Sequence, residues 1–328
     1  KPFWLAFQGP CAGLARCTHW MHARRAAGKE FCRRRLSTVA ALVLSATVAA
    51  THGIPMAVTA FVGSIGRPAW RSVARPLVRA GLSGPRAAAV STAIVDAEAV
   101  ARALEGVQAR IRAASAERPV QLVAVSKFKP AAAVAAALEA GQLVFGENYV
   151  QELLDKAPMV SEDARWHFIG KLQSNKARKL VAGVPNLVAV ETVDSASLAD
   201  KLAAAAAAIG RGSGASPPLD AYVQVDTSGE DSKGGVPPSE APALAAHVAE
   251  RCGPGLRFAG LMTIGAPGDL SAFETLAAAR EAVAKELGMP AEEVGLSMGM
   301  SGDYEEAIQR GATSVRVGSQ IFGARPPK

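Results

Sequence analysis

Three short stretches carry side chains able to do chemistry. The apolar run Gln121–Val125 is followed by Ser126, Lys127, Phe128, Lys129 and Pro130. A lysine at the end of an apolar strand can direct its amine into a sheltered mouth, where desolvation lowers its pKa from about 10.4. A neutral amine of that kind attacks an aldehyde and forms a Schiff base. Lys129 competes for the role, but it is expected on the far side of the segment, with its backbone tied by Pro130. Further on, Met300, Ser301, Gly302 and Asp303 follow one short apolar run. Gly318, Ser319 and Gln320 follow another, Ser314–Val317, which contains Arg316. Loops of this type offer hydroxyls and main-chain N–H groups to a phosphate, and Gly318 lets a ligand come close to the backbone. Taken singly, each has a plainer reading: Lys127 as a solvated loop lysine, Ser301 as a helix N-cap, Gly318 as a simple turn.

Positioning these residues requires strands that end where they begin. Short apolar runs occur at Gln121–Val125, Leu143–Phe145, Trp166–Ile169, Leu187–Val190, Ala221–Val225, Arg257–Met262, Gly295–Met298 and Ser314–Val317. Between them lie helical stretches near Ala131–Ala140, Tyr149–Asp155, Asn175–Val181, Ser197–Ile209, Ser239–Arg251, Ala272–Leu287 and Tyr304–Arg310, while Val95–Ala116 forms a helix in front. Strand and helix in alternation predict an α/β fold with a parallel sheet covered on both faces. Residues 96–328 make a body close to the ~250 typical of a (β/α)8 TIM barrel, whose reactive groups sit on the loops after the strands. An open doubly wound sheet is the alternative, but no G-x-G-x-x-G follows the first strand. Gly210–Pro218 reads as a flexible loop within a single barrel, because the rhythm resumes unchanged after it.

The chain has 328 residues, 36 Lys+Arg against 29 Asp+Glu, a formal net charge of +7 and a hydrophobic fraction of 49%. It can bury a large core and is neither disordered throughout nor collagen-like. The basic excess is confined to residues 1–95, which hold thirteen bases and a single acid, Glu30, so the remainder is net acidic. An acidic body poor in aromatics lacks the electrostatic footprint of a nucleic-acid binder. The acid-poor, Arg- and Ser-rich N-terminus has the composition of a transit peptide. Arg67, Arg71, Arg75 and Arg79 recur every four residues, although Pro68 and Pro76 interrupt a continuous helix.

Residues 1–94 are therefore expected to be a disordered, non-globular targeting extension, with a presequence opening at Met56 and cleavage between Gly81 and Ile94. Localisation would be mitochondrial or plastid, the alternative being cytoplasmic. The apolar run Val39–Ala50 is about a dozen residues, short of the ~20 a spanning helix needs, so no membrane partner is expected. Four cysteines do not make a disulfide scaffold, and a reducing interior compartment follows for the folded part. Cys11, Cys17, His19, His22 and Cys32 lack the short Cys pair of a zinc site, so no metal is expected.

Seven runs appear in order across 95–328: LVAVSKFKP (122–130), FGENYVQE (145–152), WHFIGKLQSNKARK (166–179), DTSGEDSKGG (226–235), GLMTIG (260–265), LSMGMSGDYEEAI (296–308) and VRVGSQIFGAR (315–325). Together they resemble the pyridoxal phosphate homeostasis protein family. The resemblance implies a barrel of the alanine-racemase N-terminal type that binds pyridoxal 5′-phosphate (PLP). It implies that Lys127 forms the internal aldimine, that Ser301, Gly318 and Ser319 hold the phosphate, that Arg316 faces the pyridine nitrogen and that Asn148 lies near the cofactor. His167 is expected to be a packed strand histidine. Three positions depart from the family pattern: Lys171 where histidine is usual, Gly302 where alanine is usual and Asp226 where asparagine is common.

The resemblance also implies a role in intracellular homeostasis of PLP (vitamin B6), with PLP and PLP-dependent apoenzymes as partners and a monomer or weak dimer as the assembly. A guanidinium is always charged and only donates, so at the ring nitrogen it discourages protonation and leaves the ring a poorer electron sink. Racemases with the same arginine add a tyrosine base from a C-terminal β domain. Here the sequence ends at Lys328, soon after the eighth strand, and its tyrosines are Tyr149, Tyr222 and Tyr304, of which Tyr149 and Tyr304 are placed to reach the mouth. The expected function is thus to hold PLP as a Schiff base on Lys127 and to buffer or deliver it; the alternative is a weak PLP-dependent amino-acid racemase.

Overall fold

The computed structural model describes residues 95–324, apart from 215, 231, 232 and 267, all within the unit Gly84–Lys328. The expected targeting extension, the apolar run Val39–Ala50 and the Cys/His group at 11–32 lie outside the described residues.

The alternation read from the sequence becomes a closed barrel of eight strands in chain order. The strands are β1 (Gln121–Val125), β2 (Val144–Glu147), β3 (Arg165–Phe168), β4 (Leu187–Val193), β5 (Leu219–Gln224), β6 (Leu256–Met262), β7 (Gly295–Ser297) and β8 (Ser314–Val317). Every neighbouring pair is parallel, and β1 closes the ring by pairing Gln121 with Ser314 and Ala124 with Val317. On its other side β1 sets Val125 opposite Gly146 of β2. The turn after β1 is thereby flanked by the chain segments that carry Asn148 and Gly318.

Helices α2 (Ala131–Glu139), α3 (Val150–Lys156), α4 (Ala177–Gly183), α5 (Ala196–Ala208), α6 (Ala241–Arg251), α7 (Ser271–Leu287), α8 (Tyr304–Gln309) and α9 (Ser319–Phe322) follow the eight strands in turn, and α1 (Ala97–Ser115) precedes them. Strands with a helical layer outside and filled interior on the other face read as near-continuous apolar runs, which is why their positions are visible in the sequence. Phe145, Trp166, Phe168, Leu187, Leu219 and Leu261 are all fully buried.

Helix α1 begins where Asp96 Oδ1 accepts the Ala99 N–H at 2.9 Å, an N-cap of the usual kind. Its buried residues Val100, Leu104, Val107 and Ile111 form one apolar stripe, and it packs on α2, α8 and α9. It stops at Ala116, which takes the left-handed conformation at φ 49°. Arg118 then donates to the carbonyls of Ala312 (3.0 Å) and Ile308 (3.1 Å), tying α1 to the approach to β8.

Two boundaries differ from the sequence reading in ways that matter for the site. Strand β3 ends at Phe168, so Ile169 is released to line the mouth. Strand β4 runs on through Glu191 and Thr192 to Val193, both polar residues being buried, with a shifted register against β5 between Val190 and Val193.

Candidate functional site

A cavity of about 290 Å³ opens at the C-terminal ends of the strands, lined by Val125, Lys127, Lys129, Asn148, Ile169, Met262, Ile264, Met300, Ser301, Gly302, Arg316, Gly318, Ser319 and Gly323. All six residues singled out in the sequence meet here: Lys127 after β1, Asn148 after β2, Ser301 after β7, Arg316 in β8, and Gly318 and Ser319 after it. The walls are aliphatic or thioether side chains. Among the described residues three cations line the cavity and no carboxylate does, which suits a ligand carrying phosphate. The volume is at the lower end of the ~300–1,000 Å³ usual for small-molecule pockets.

Arg316 is 4% exposed, so its charge must be answered inside the barrel. One terminal nitrogen donates to Ser297 Oγ and the other to the Thr263 carbonyl, each at 2.6 Å. Glu191 Oε2 lies 3.9 Å away and also accepts from Ser297 Oγ at 2.6 Å. The other Glu191 oxygen lies 2.5 Å from His167 Nδ1, and His167 Nε2 is 3.2 Å from Gln121 Nε2. Burial alone would raise the Glu191 carboxyl, but His167, Arg316 and Ser297 outweigh it and hold the group below its ordinary value. Burial lowers the Arg316 guanidinium, against the pull of Glu191 and Asp303. The guanidinium is therefore a fixed donor on the cavity wall, its charge partly answered by Glu191. His167 is the packed strand histidine expected from the sequence and belongs to this network, not to the lining.

The two late loops are joined directly: the Gly318 N–H donates to Ser301 Oγ at 3.2 Å. Ser301 is thus a cross-link and not a helix N-cap; the residue before α8 is Asp303, whose Oδ1 accepts from the Met300 N–H at 2.6 Å. Gly318 has φ −122°, so its glycine is required for space and not for a left-handed turn. A Cβ there would stand 3.0 Å from the Val125 carbonyl oxygen and 3.2 Å from Val125 Cβ. Asn148 Oδ1 is buried with no hydrogen-bond partner among the described residues, an unmet polar capacity on the cavity wall of the kind a ligand satisfies.

Three expectations are corrected. Lys129 does not face away from Lys127 but lines the same cavity. Residues two apart share a face in extended chain, and here 126–129 form a turn closed by Lys129 N–H to Ser126 O at 3.0 Å. The Lys129 amine also donates to the Ala324 carbonyl at 2.7 Å, and partial burial lowers its pKa. Tyr304 does not reach the mouth: it is 2% exposed, and its hydroxyl accepts from Arg110 Nε of α1 at 2.7 Å. Burial raises its pKa against that arginine.

Tyr149 is half exposed, with its ring 5.1 Å from that of Phe128, and no tyrosine is among the residues lining the cavity. Of the departures from the family pattern, Gly302 lines the cavity, Lys171 is exposed, and Asp226 turns its own loop by accepting from the N–H groups of Ser228 and Gly229. The sequence reading missed Gly170, where a Cβ would fall 2.0 Å from the Asn148 carbonyl oxygen; only glycine lets these two loops cross. It also missed Glu191, whose charge interrupts the apolar run of β4.

The closed barrel carries a lysine on its first loop, an arginine in its last strand and a hydroxyl-bearing crossing of its last two loops, and residues 95–326 match the family model for the alanine racemase N-terminal domain, which places it in that class of barrel. Within that class the chain belongs to the pyridoxal phosphate homeostasis protein family. It is 47% identical over 241 residues to the human protein of that name, covering 68% of this chain and 86% of that one. Among solved structures, PipY of Synechococcus elongatus with PLP bound is 35% identical with a TM-score of 0.56, over 68% of this chain and 100% of PipY. A Bifidobacterium adolescentis protein described as unknown is 33% identical with a TM-score of 0.61, over 70% and 97% of the two chains.

Proposed function

We propose that this chain holds pyridoxal 5′-phosphate in the cavity at the barrel mouth and buffers or delivers it to PLP-dependent apoenzymes. The observation that carries this reading is the sharing of one cavity, with no carboxylate among its described lining residues, by Lys127, Arg316 and the Ser301–Gly318 link. The unsatisfied Asn148 amide and the cation content fit the group. When bound, PLP supplies an aldehyde that condenses with a primary amine and a pyridine nitrogen whose protonation sets its strength as an electron sink. Lys127 offers the amine. Ser301 and Ser319 offer hydroxyls, and Gly318 the close backbone approach, to the phosphate. Arg316, held by Ser297 and Thr263, would donate toward the ring nitrogen and disfavour a proton there.

Binding is favoured over turnover because a racemase needs a second base on the face opposite its lysine. The hydroxyl of Tyr304 is engaged by Arg110, Tyr149 packs at a tilt against Phe128 at the surface, and neither lines the cavity. The test is borohydride reduction of PLP-loaded protein followed by mass spectrometry. A phosphopyridoxyl group on Lys127, lost in Lys127→Ala, is the expected result; an unchanged adduct yield in that variant defeats the assignment. Incubation with L- and D-amino acids should give no racemisation above that of free PLP, and faster racemisation would restore the enzyme reading.

A further inference from the structure

The turn that presents Lys127 contains a second cavity-lining amine, Lys129, and a residue between them in an unusual conformation. Phe128 has φ 62°. Left-handed backbone is uncommon for a bulky residue, and turns that need it in third position take Gly or Asn. Core packing does not impose it, since the Phe128 side chain is 48% exposed.

What holds the turn is a buried ion cluster from the next β/α unit. The Phe128 N–H donates to Glu152 Oε1 at 2.6 Å. That same oxygen accepts from Lys156 Nζ at 2.8 Å. Lys156, 5% exposed, also donates to the Ser126 carbonyl at 2.9 Å and to Glu147 Oε1 at 2.5 Å. Glu147 Oε1 in turn accepts from Ser126 Oγ at 2.7 Å. The cluster thus grips the residue before Lys127 and the residue after it. Both amines line the cavity with the turn in this form, Lys129 with its amine donating to the Ala324 carbonyl, so the conformation at Phe128 sets how each reaches into it.

We infer that Glu152, seated by Lys156, is a positioning residue that makes Lys127 rather than Lys129 the amine that captures the cofactor's aldehyde. This rests on the carrier reading above. In the capture step the amine nitrogen adds to the aldehyde carbon, a C=N bond replaces C=O, and the oxygen leaves as water. Lys129 is chemically competent for the same step, because partial burial lowers its pKa, so orientation decides between the two.

The test loads full-chain protein with PLP, reduces it with borohydride, and quantifies the Lys127 and Lys129 adducts by peptide mass spectrometry. Wild type should react at Lys127; if it gives no adduct there, the carrier reading itself fails, a separate outcome. Glu152→Ala should shift the Lys127:Lys129 ratio toward Lys129 by about tenfold, the scale of a left-handed residue's penalty. Glu152→Gln keeps the accepting oxygen and should stay near the wild-type ratio, which loss of fold alone would not predict. Adding Phe128→Asn to Glu152→Ala should restore the ratio, because Asn tolerates the left-handed region. Should Glu152→Ala fail to fold, Phe128→Val, which leaves the ion cluster whole but penalises the same φ, must give the shift. A wild-type ratio in a folded Glu152→Ala or, in its place, in Phe128→Val overturns the inference.

Discussion

At Gly318 a single hydrogen atom stands where any other residue would put carbon against the end of β1. A Cβ 3.0 Å from the Val125 carbonyl oxygen forces the β8–α9 turn outward, and the turn's N–H is what reaches Ser301 Oγ. Gly318→Ala should therefore weaken PLP binding by about tenfold or more, with overpacking of the order of 1–3 kcal/mol spread between stability and affinity. Spectral titration of PLP together with the melting temperature measures both; wild-type affinity in this variant would place the phosphate away from the turn. Residues of this kind were legible in the sequence because strand ends announce them: Lys127, Ser301 and Gly318 each follow an apolar run. Gly170 was not, because its role is a crossing with the Asn148 backbone some twenty residues earlier, and no local spacing encodes such a crossing. Lys129 was misplaced for a simpler reason, since residues two apart share a face even in extended chain and it lines the cavity beside Lys127.

Among the elements, β4 shows what an apolar pattern leaves out. Its run reads as finished at Val190, yet the strand continues through Glu191 and Thr192, both buried. A buried carboxylate is tolerable only when paired, and the partners of Glu191 come from three other strands: His167 in β3, Ser297 in β7 and Arg316 in β8. None of these is near it in sequence, so the extension was invisible until the barrel closed, whereas strands without buried charge were located to within about two residues. Because the Glu191 pKa is lowered by folding, its contribution to stability is present above the ordinary carboxylate value of about 4.3 and is lost as pH falls through the lower folded value. Glu191→Gln leaves the Arg316 charge uncompensated, a defect of about 3–5 kcal/mol for a broken buried pair. Its melting temperature should thus fall furthest below wild type at neutral pH, and the gap should narrow only below about pH 4. A gap that is constant across pH 3–7 would show that shape, and not charge, is what the network needs.

For the molecule as a whole, the distribution of charge sets the final expectation. Residues 1–95 hold thirteen of the chain's bases and one acid, while the barrel that follows is net acidic. The barrel has its own start: Asp96 caps α1, the apolar stripe of α1 packs on α2, α8 and α9, and the match to the family model begins at residue 95. The described lining residues of the cavity and the members of the ion cluster at the turn after β1 all lie after that cap. We accordingly propose that residues 1–94 serve as an import extension for a mitochondrion or plastid, separate from PLP binding. Two measurements follow. A chain starting at residue 95 should bind PLP within about twofold of the full chain, since every described lining residue and the N-cap interaction that holds α1 are retained. The mature protein isolated from its cells should begin between Gly81 and Ile94 and, having shed the basic third, should bind an anion exchanger at neutral pH where the full chain does not. A mature chain that still carries Arg67, Arg71, Arg75 and Arg79 would remove the import reading while leaving the barrel's chemistry untouched, because the two depend on different residues.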